Sequence, residues 1–138
     1  MPKVSICISV LNQSEYLREC IGSIIAQTFT DWELVLVDDG SSEDIKAVID
    51  EFKDERIKYH RFPENKGIPY GINWAFQNST GEYVQPIAAD EYMDPKKLEI
   101  QVKYLDENPE DAVCGLPQIG MENPLMGERP SWEMYSLK

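Results

Sequence analysis

Four times in succession a short apolar run gives way to a segment whose apolar residues recur at helical spacing, and few architectures accommodate that alternation. Residues 4–10 are mostly apolar and too continuous for a strand with one wet face, so they read as a buried parallel strand. After the polar start signal at 12–14, Tyr16, Leu17, Cys20, Ile21, Ile24 and Ile25 share one helical face. Residues 32–37 form the second strand. Ser41 or Ser42 is expected to cap the next helix, with Glu43 or Asp44 near its first turn and Ile45, Val48, Ile49 and Phe52 as its stripe. Residues 56–61 are a short third strand, and Ile68, Ile72, Ala75 and Phe76 mark a third helix. The fourth strand is expected at 81–87, bent before Ala88 because Pro86 lacks a ladder donor. Asp94 as cap and Pro95 as first helical residue open a fourth helix along Leu98, Val102 and Leu105, which Asn108-Pro109 stops. A further strand is expected to begin at 111–114. The pattern predicts an α/β fold, a Rossmann-like, mostly parallel sheet flanked by helices, with the loops after the strands gathered at one edge.

Two of those loops are acidic. Val35-Leu36-Val37 runs into Asp38-Asp39-Gly40-Ser41, and the fourth strand runs into Ala88-Ala89-Asp90-Glu91. Carboxylates at such an edge are poor anion sites alone and good cation sites. Asp90 suits Mg or Mn, with Glu91 as a second ligand or the holder of a metal-bound water; a solvated turn is the bland alternative. Asp38 and Asp39 suit either a ligand's base or sugar, or simply a stable turn. Asn65 and Gly67 lie in a tight polar turn where Gly67 permits an unusual backbone angle. Lys66 could approach a phosphate but reads first as an exposed lysine, and His60, the only histidine, as surface or strand packing.

Thirteen Lys and Arg against 25 Asp and Glu give a net charge of −12, which opposes nonspecific nucleic-acid binding and docking on anionic lipid. A divalent cation would still admit an anionic substrate. Cys7, Cys20 and Cys114 are odd in number and widely spaced; buried inert thiols and a reducing, cytoplasmic compartment are expected. No stretch approaches the roughly 18 apolar residues of a membrane span. Attachment to the inner face of a membrane would come through a partner or a missing region.

Several of these pieces, in order, resemble the nucleotide-binding half of a family 2 glycosyltransferase with the GT-A fold. They are Val4-Ser5-Ile6-Cys7-Ile8-Ser9-Val10-Leu11-Asn12, Tyr16-Leu17-Arg18-Glu19-Cys20-Ile21, Gln27-Thr28-Phe29-Thr30-Asp31-Trp32-Glu33-Leu34 and Val37-Asp38-Asp39-Gly40-Ser41. Asn65-Lys66-Gly67, Gly81-Glu82-Tyr83-Val84, Ala88-Ala89-Asp90-Glu91 and Pro95-Lys96-Lys97-Leu98-Glu99 follow. The resemblance implies inverting, Mg- or Mn-assisted transfer of a sugar from a nucleotide diphosphate sugar to a glycan, lipid or protein acceptor. It implies that Asp39 meets the base, Asp38 supports the turn, Val10, Leu11, Asn65 and Gly67 border the donor, and Asp90 binds metal beside Glu91.

The chain departs from the family pattern at three places. Ala88 replaces the first Asp of the Asp-any-Asp motif, Ser9-Val10-Leu11 replaces the common Pro-Thr-Tyr, and Ile72 stands where an arginine often precedes Asn73. The resemblance also places the general base and acceptor site beyond Gly115, in a region this chain mostly lacks. Glu122, Glu128 and Glu133 are acids there, none in a pattern that marks it as the base. The expected organisation is a nucleotide-sugar-binding domain at 1–115, truncated relative to the complete catalytic domain. An irregular tail, or the start of the acceptor-side region, follows at 116–138. A noncatalytic module binding nucleotide sugar or a partner domain, and a nucleotidyltransferase, are the competing readings.

Overall fold

The computed structural model describes residues 1–111. The elements run β1 (Val4–Val10), α1 (Ser14–Ile25), β2 (Trp32–Asp38), α2 (Ile45–Phe52), β3 (Ile57–Arg61), α3 (Ile68–Gln77), β4 (Tyr83–Pro86) and α4 (Lys97–Glu107). Packing divides the chain into two compact units, Met1–Lys96 and Lys97–Lys138. The first holds the sheet and three helices; the second begins with α4, which ends where the Asn108 side-chain amide and backbone N–H both donate to the Tyr104 carbonyl. The expected strand at 111–114, the expected domain boundary at 115, Cys114 and the tail acids Glu122, Glu128 and Glu133 fall outside the described residues, apart from Asp111 itself.

The four strands are parallel and ordered β3-β2-β1-β4. Both faces of β1 and β2 are covered, which is why their sequences lack polar alternation: Trp32 through Val37 are all buried. One face carries Cys7, Val35, Val37 and Phe62 against Ala75 of α3, with Trp74, Phe76 and Val84 beside them. By the alternation of a strand, Ile6, Ile8, Val10, Leu34 and Leu36 point the other way, where α1 and α2 bring the buried Leu17, Ile21, Ile24, Ile45 and Val48. Gly71 sets how near α3 lies to β1, since a Cβ there would sit 2.2 Å from the Ser9 Oγ.

The boundaries depart from expectation where side chains choose unexpected partners. Asp44 caps α2, accepting from the Ala47 N–H at 3.0 Å, so neither Ser41 nor Ser42 is the cap. Within the polar start signal at 12–14, Gln13 occupies the cap position of α1 in a left-handed conformation with no side-chain cap hydrogen bond. Asp94 accepts from the Lys96 N–H at 2.9 Å, closing a turn that delays α4 to Lys97. Pro86 ends β4 opposite Cys7, and the next donor, the Ile87 N–H, still reaches the Cys7 carbonyl at 3.0 Å.

Candidate functional site

From β1 the chain steps outward one way to β2 and β3, then returns to the other side of β1 for β4. The carboxyl ends of β1 and β4 therefore flank a topological switch point, the place where open α/β sheets leave a crevice. Leu11 and Asn12 leave β1 there, and Ala88 to Asp90 follow β4. Asp39 follows β2 on the far side of β1, so Asp39 and Asp90 both come after the carboxyl ends of parallel strands, at one edge of the sheet.

Asp38 is fully buried; Oδ1 accepts from the Ser41 N–H at 2.9 Å, Oδ2 accepts from Tyr59 Oη at 2.7 Å and Arg61 Nη1 at 2.8 Å, and the Ser41 hydroxyl also bonds the carboxylate. Burial works against its charge, but these hydrogen bonds and the Arg61 guanidinium outweigh it and hold the carboxyl below the usual range. Burial, with the hydrogen bond to Asp38 next, pushes the Tyr59 phenol up to about 12. Asp38 thus ties the turn to β3. Asp39 is 1% exposed, and its two oxygens accept from the Lys66 N–H at 2.8 Å and the Gly67 N–H at 3.0 Å. It holds the β3–α3 loop to the end of β2. Gly67 adopts φ +93°, the unusual angle expected of it, and the Asn65 backbone runs directly over Gly40. The Lys66 ammonium is exposed and lies 5.1 Å from the Tyr70 ring centroid; His60 stacks on Trp74 at 4.1 Å.

Val10 reaches the edge with its side chain buried and its carbonyl already accepting from the Asp39 N–H at 2.8 Å, whereas Leu11 is 43% exposed. The loop after β4 alternates: Ile87, Ala89 and Met93 are buried, while Ala88 and Asp90 are exposed and Glu91 is half-buried. Helix α1 and Gln27 just beyond its end hold this loop. Cys20 Sγ donates to the Ala88 carbonyl at 3.6 Å, Ser23 Oγ accepts from the Met93 N–H at 3.0 Å, and Gln27 Nε2 donates to the Asp94 carbonyl at 2.6 Å. Cys20 reads as core from the sequence; the three-residue spacing of Ser23 from it on α1 is the signal for this second role. Ile72 is half-buried on α3.

Among the described residues no group of three or more His, Cys, Asp or Glu side chains gathers as a metal cage. The edge offers an exposed Asp90 and a neighbouring Glu91 instead. That donor set fits a hard cation that keeps several waters and shares its coordination with substrate phosphates.

The family model for glycosyl transferase family 2 matches residues 5–136. The chain belongs to that family. Glycosyltransferase GlyA of Streptococcus pneumoniae is 33% identical over 115 residues, covering 82% of this chain and 16% of the relative. The bifunctional glycosyltransferase pgtA of Dictyostelium discoideum is 40% identical over 103 residues, covering 70% and 13%. The chain spans between 13% and 42% of the length of the curated relatives it matches. S. aureus TarS 1–349 in complex with UDP-GlcNAc superposes with a TM-score of 0.74 at 25% identity, over 78% of this chain and 32% of that one. The Pyrobaculum calidifontis mannosyltransferase PcManGT, solved with GDP-Man and Mn2+, shares the fold with a TM-score of 0.70 at 22% identity, over 75% and 32%.

Proposed function

We propose that this chain is the donor-binding part of an inverting glycosyltransferase that uses a nucleoside diphosphate sugar and a divalent cation. The single observation that carries the reading is that Leu11, Asp39 with its loop, and Asp90 follow the carboxyl ends of β1, β2 and β4, three adjacent parallel strands. The presence of UDP-GlcNAc in the similar TarS supports the donor class.

In this reading the base lies against Leu11 and the Lys66–Gly67 loop. Each Asp39 oxygen accepts one backbone N–H and retains a second lone pair, which the base's imide N–H approaches edge-on. The diphosphate lies toward β4. Asp90 and Glu91 would hold Mg or Mn there, and the cation would supply charge neutralisation for the departing diphosphate. Ala88 offers no carboxylate, so Asp90 carries the larger share of that duty than in relatives with the full motif. An acceptor hydroxyl attacks the anomeric carbon opposite the leaving oxygen, the bond from that carbon to the diphosphate breaks, and a general base outside the described residues takes the hydroxyl proton. Orientation of donor and acceptor supplies much of the rate. Residues 116–138 are assigned to the start of the acceptor-side region. Cys7 and Cys20 are both buried, and burial, opposed by the hydrogen bond with Ser79 and aided by Glu33, pushes the Cys7 thiol up to about 11, so it is unreactive; both suit a cytoplasmic setting.

Ala88 and Ile72 favour one alternative, a module that binds the nucleotide sugar without transferring it; transfer assays on the full-length protein separate the two. Donor binding is tested by calorimetry with UDP-GlcNAc and GDP-mannose, with and without Mn2+. Asp90→Ala is expected to remove the Mn2+-dependent part of binding, weakening it at least about tenfold, the scale of one lost charged contact. Binding that is equal with and without Mn2+, and equal in Asp90→Ala, contradicts the metal role. No binding of either donor contradicts the donor site.

A further inference from the structure

We infer that Asn12 is a positioning residue of the donor site, locking the β1–α1 loop to the β2–α2 loop and so fixing Leu11 beside Asp39; the inference rests on the donor reading above. The backbone ladder between β1 and β2 ends at Val10 opposite Asp38, with the Asp39 N–H closing on the Val10 carbonyl. Beyond that point the two chains diverge into separate helices, and backbone pairing no longer sets their spacing. Asn12 takes over. Its N–H donates to Ser41 Oγ at 2.8 Å. Its Oδ1 accepts from the Ser42 N–H at 3.0 Å, Ser42 Oγ at 3.1 Å and the Glu43 N–H at 3.1 Å. The Ser14 N–H returns the link, donating to Glu43 Oε2 at 2.9 Å.

These contacts are anchored at depth. Ser41 is 2% exposed and its own N–H is held by Asp38. Asn12 sits at φ +58°, a left-handed conformation that asparagine tolerates better than most residues. The Gln13 side chain at the cap position of α1 makes no cap bond, the Ser14 N–H is taken by Glu43, and the Asn12 side chain is directed across the loops. Leu11 precedes it directly and Asp39 lies two residues before Ser41. Past the Asp39–Val10 backbone bond, three of the five hydrogen bonds named between the two loops converge on the oxygen of one carboxamide. Only its oxygen is used in these bonds, so a carboxylate of the same shape preserves the lock. Glycine removes the acceptor while accepting the left-handed backbone without strain.

The test measures UDP binding by calorimetry in the presence of Mn2+, with thermal unfolding alongside, for the 138-residue chain and its Asn12→Gly and Asn12→Asp variants. Asn12→Gly is expected to bind UDP about tenfold more weakly, the scale of one or two lost hydrogen bonds, and Asn12→Asp within about twofold of the parent. Faster amide exchange at Ser42 and Glu43 in Asn12→Gly alone accompanies this result. Parent-like UDP affinity in Asn12→Gly overturns the inference even if its melting temperature falls. Equal weakening in both variants overturns it too, because the acceptor oxygen would not be what matters. Failure of the parent chain to bind UDP overturns the donor reading and this inference with it.

Discussion

Glu33 shows how a single buried carboxylate ties sequence to stability away from the donor edge. Its Oε1 accepts from Ser5 Oγ at 2.6 Å, the Thr80 N–H at 2.7 Å and Thr80 Oγ1 at 3.0 Å, while Oε2 accepts from Lys58 Nζ. Ser5 Oγ in turn accepts from the Gly81 N–H at 2.8 Å, so the network fastens the α3–β4 turn to β1 and β2. Burial disfavours the charge, but the hydrogen bonds from Lys58, Ser5 and Thr80 prevail and lower its pKa from 4.5 to about 2. A carboxyl lowered on folding stabilises fully above its unfolded value, and that stability is lost as pH falls through the folded one. Unfolding free energy is therefore expected to fall between pH 4.5 and 2, and Glu33→Gln to flatten that fall. At pH 7 the same substitution is expected to cost about 1–3 kcal/mol, because it weakens hydrogen bonds to a charged acceptor. Urea titrations across that pH range check both; a parent profile as flat as the variant's contradicts the assignment.

Among the elements, the four strands and four helices follow the expected order because apolar continuity and helical periodicity are local signals of burial. Their ends were less legible. Capping is a contest between neighbouring polar side chains, and the winner depends on partners distant in sequence. Ser42 was drawn to Asn12, which left Asp44 to cap α2. Asp39 was legible as an edge residue from the Val-Asp-Asp-Gly-Ser pattern, but its two bonds to the β3–α3 loop required the fold. Gly40 marks where these loops meet. It has φ +73°, and a Cβ there would lie 2.7 Å from both the Asn65 N and the Glu64 carbonyl carbon, backbone atoms that cannot rotate away. Gly40→Ala is expected to destabilise by about 2–4 kcal/mol, left-handed strain adding to overpacking. Chemical denaturation measures the loss; a change below about 0.5 kcal/mol, the range of an ordinary surface substitution, would show that the loops yield freely.

For the whole molecule, the strand order marks the edge where an open α/β sheet leaves a crevice. A chain ordered β3-β2-β1-β4 reverses direction beside β1, and each candidate donor contact lies at the carboxyl end of a strand or in the loop that follows. Amino-terminal strand ends carry the Glu33 network, at the edge opposite the proposed donor site. The most direct measurement is an NMR titration of the amide-labelled chain with UDP and a diamagnetic divalent cation, Mg2+. Shift changes are expected at Leu11, Asn12, Lys66, Gly67 and Ala89 to Glu91, with Ser5, Glu33 and Thr80 unmoved. Changes centred on the Glu33 edge, or none at any of these amides at millimolar UDP, would contradict a donor site at the strand ends.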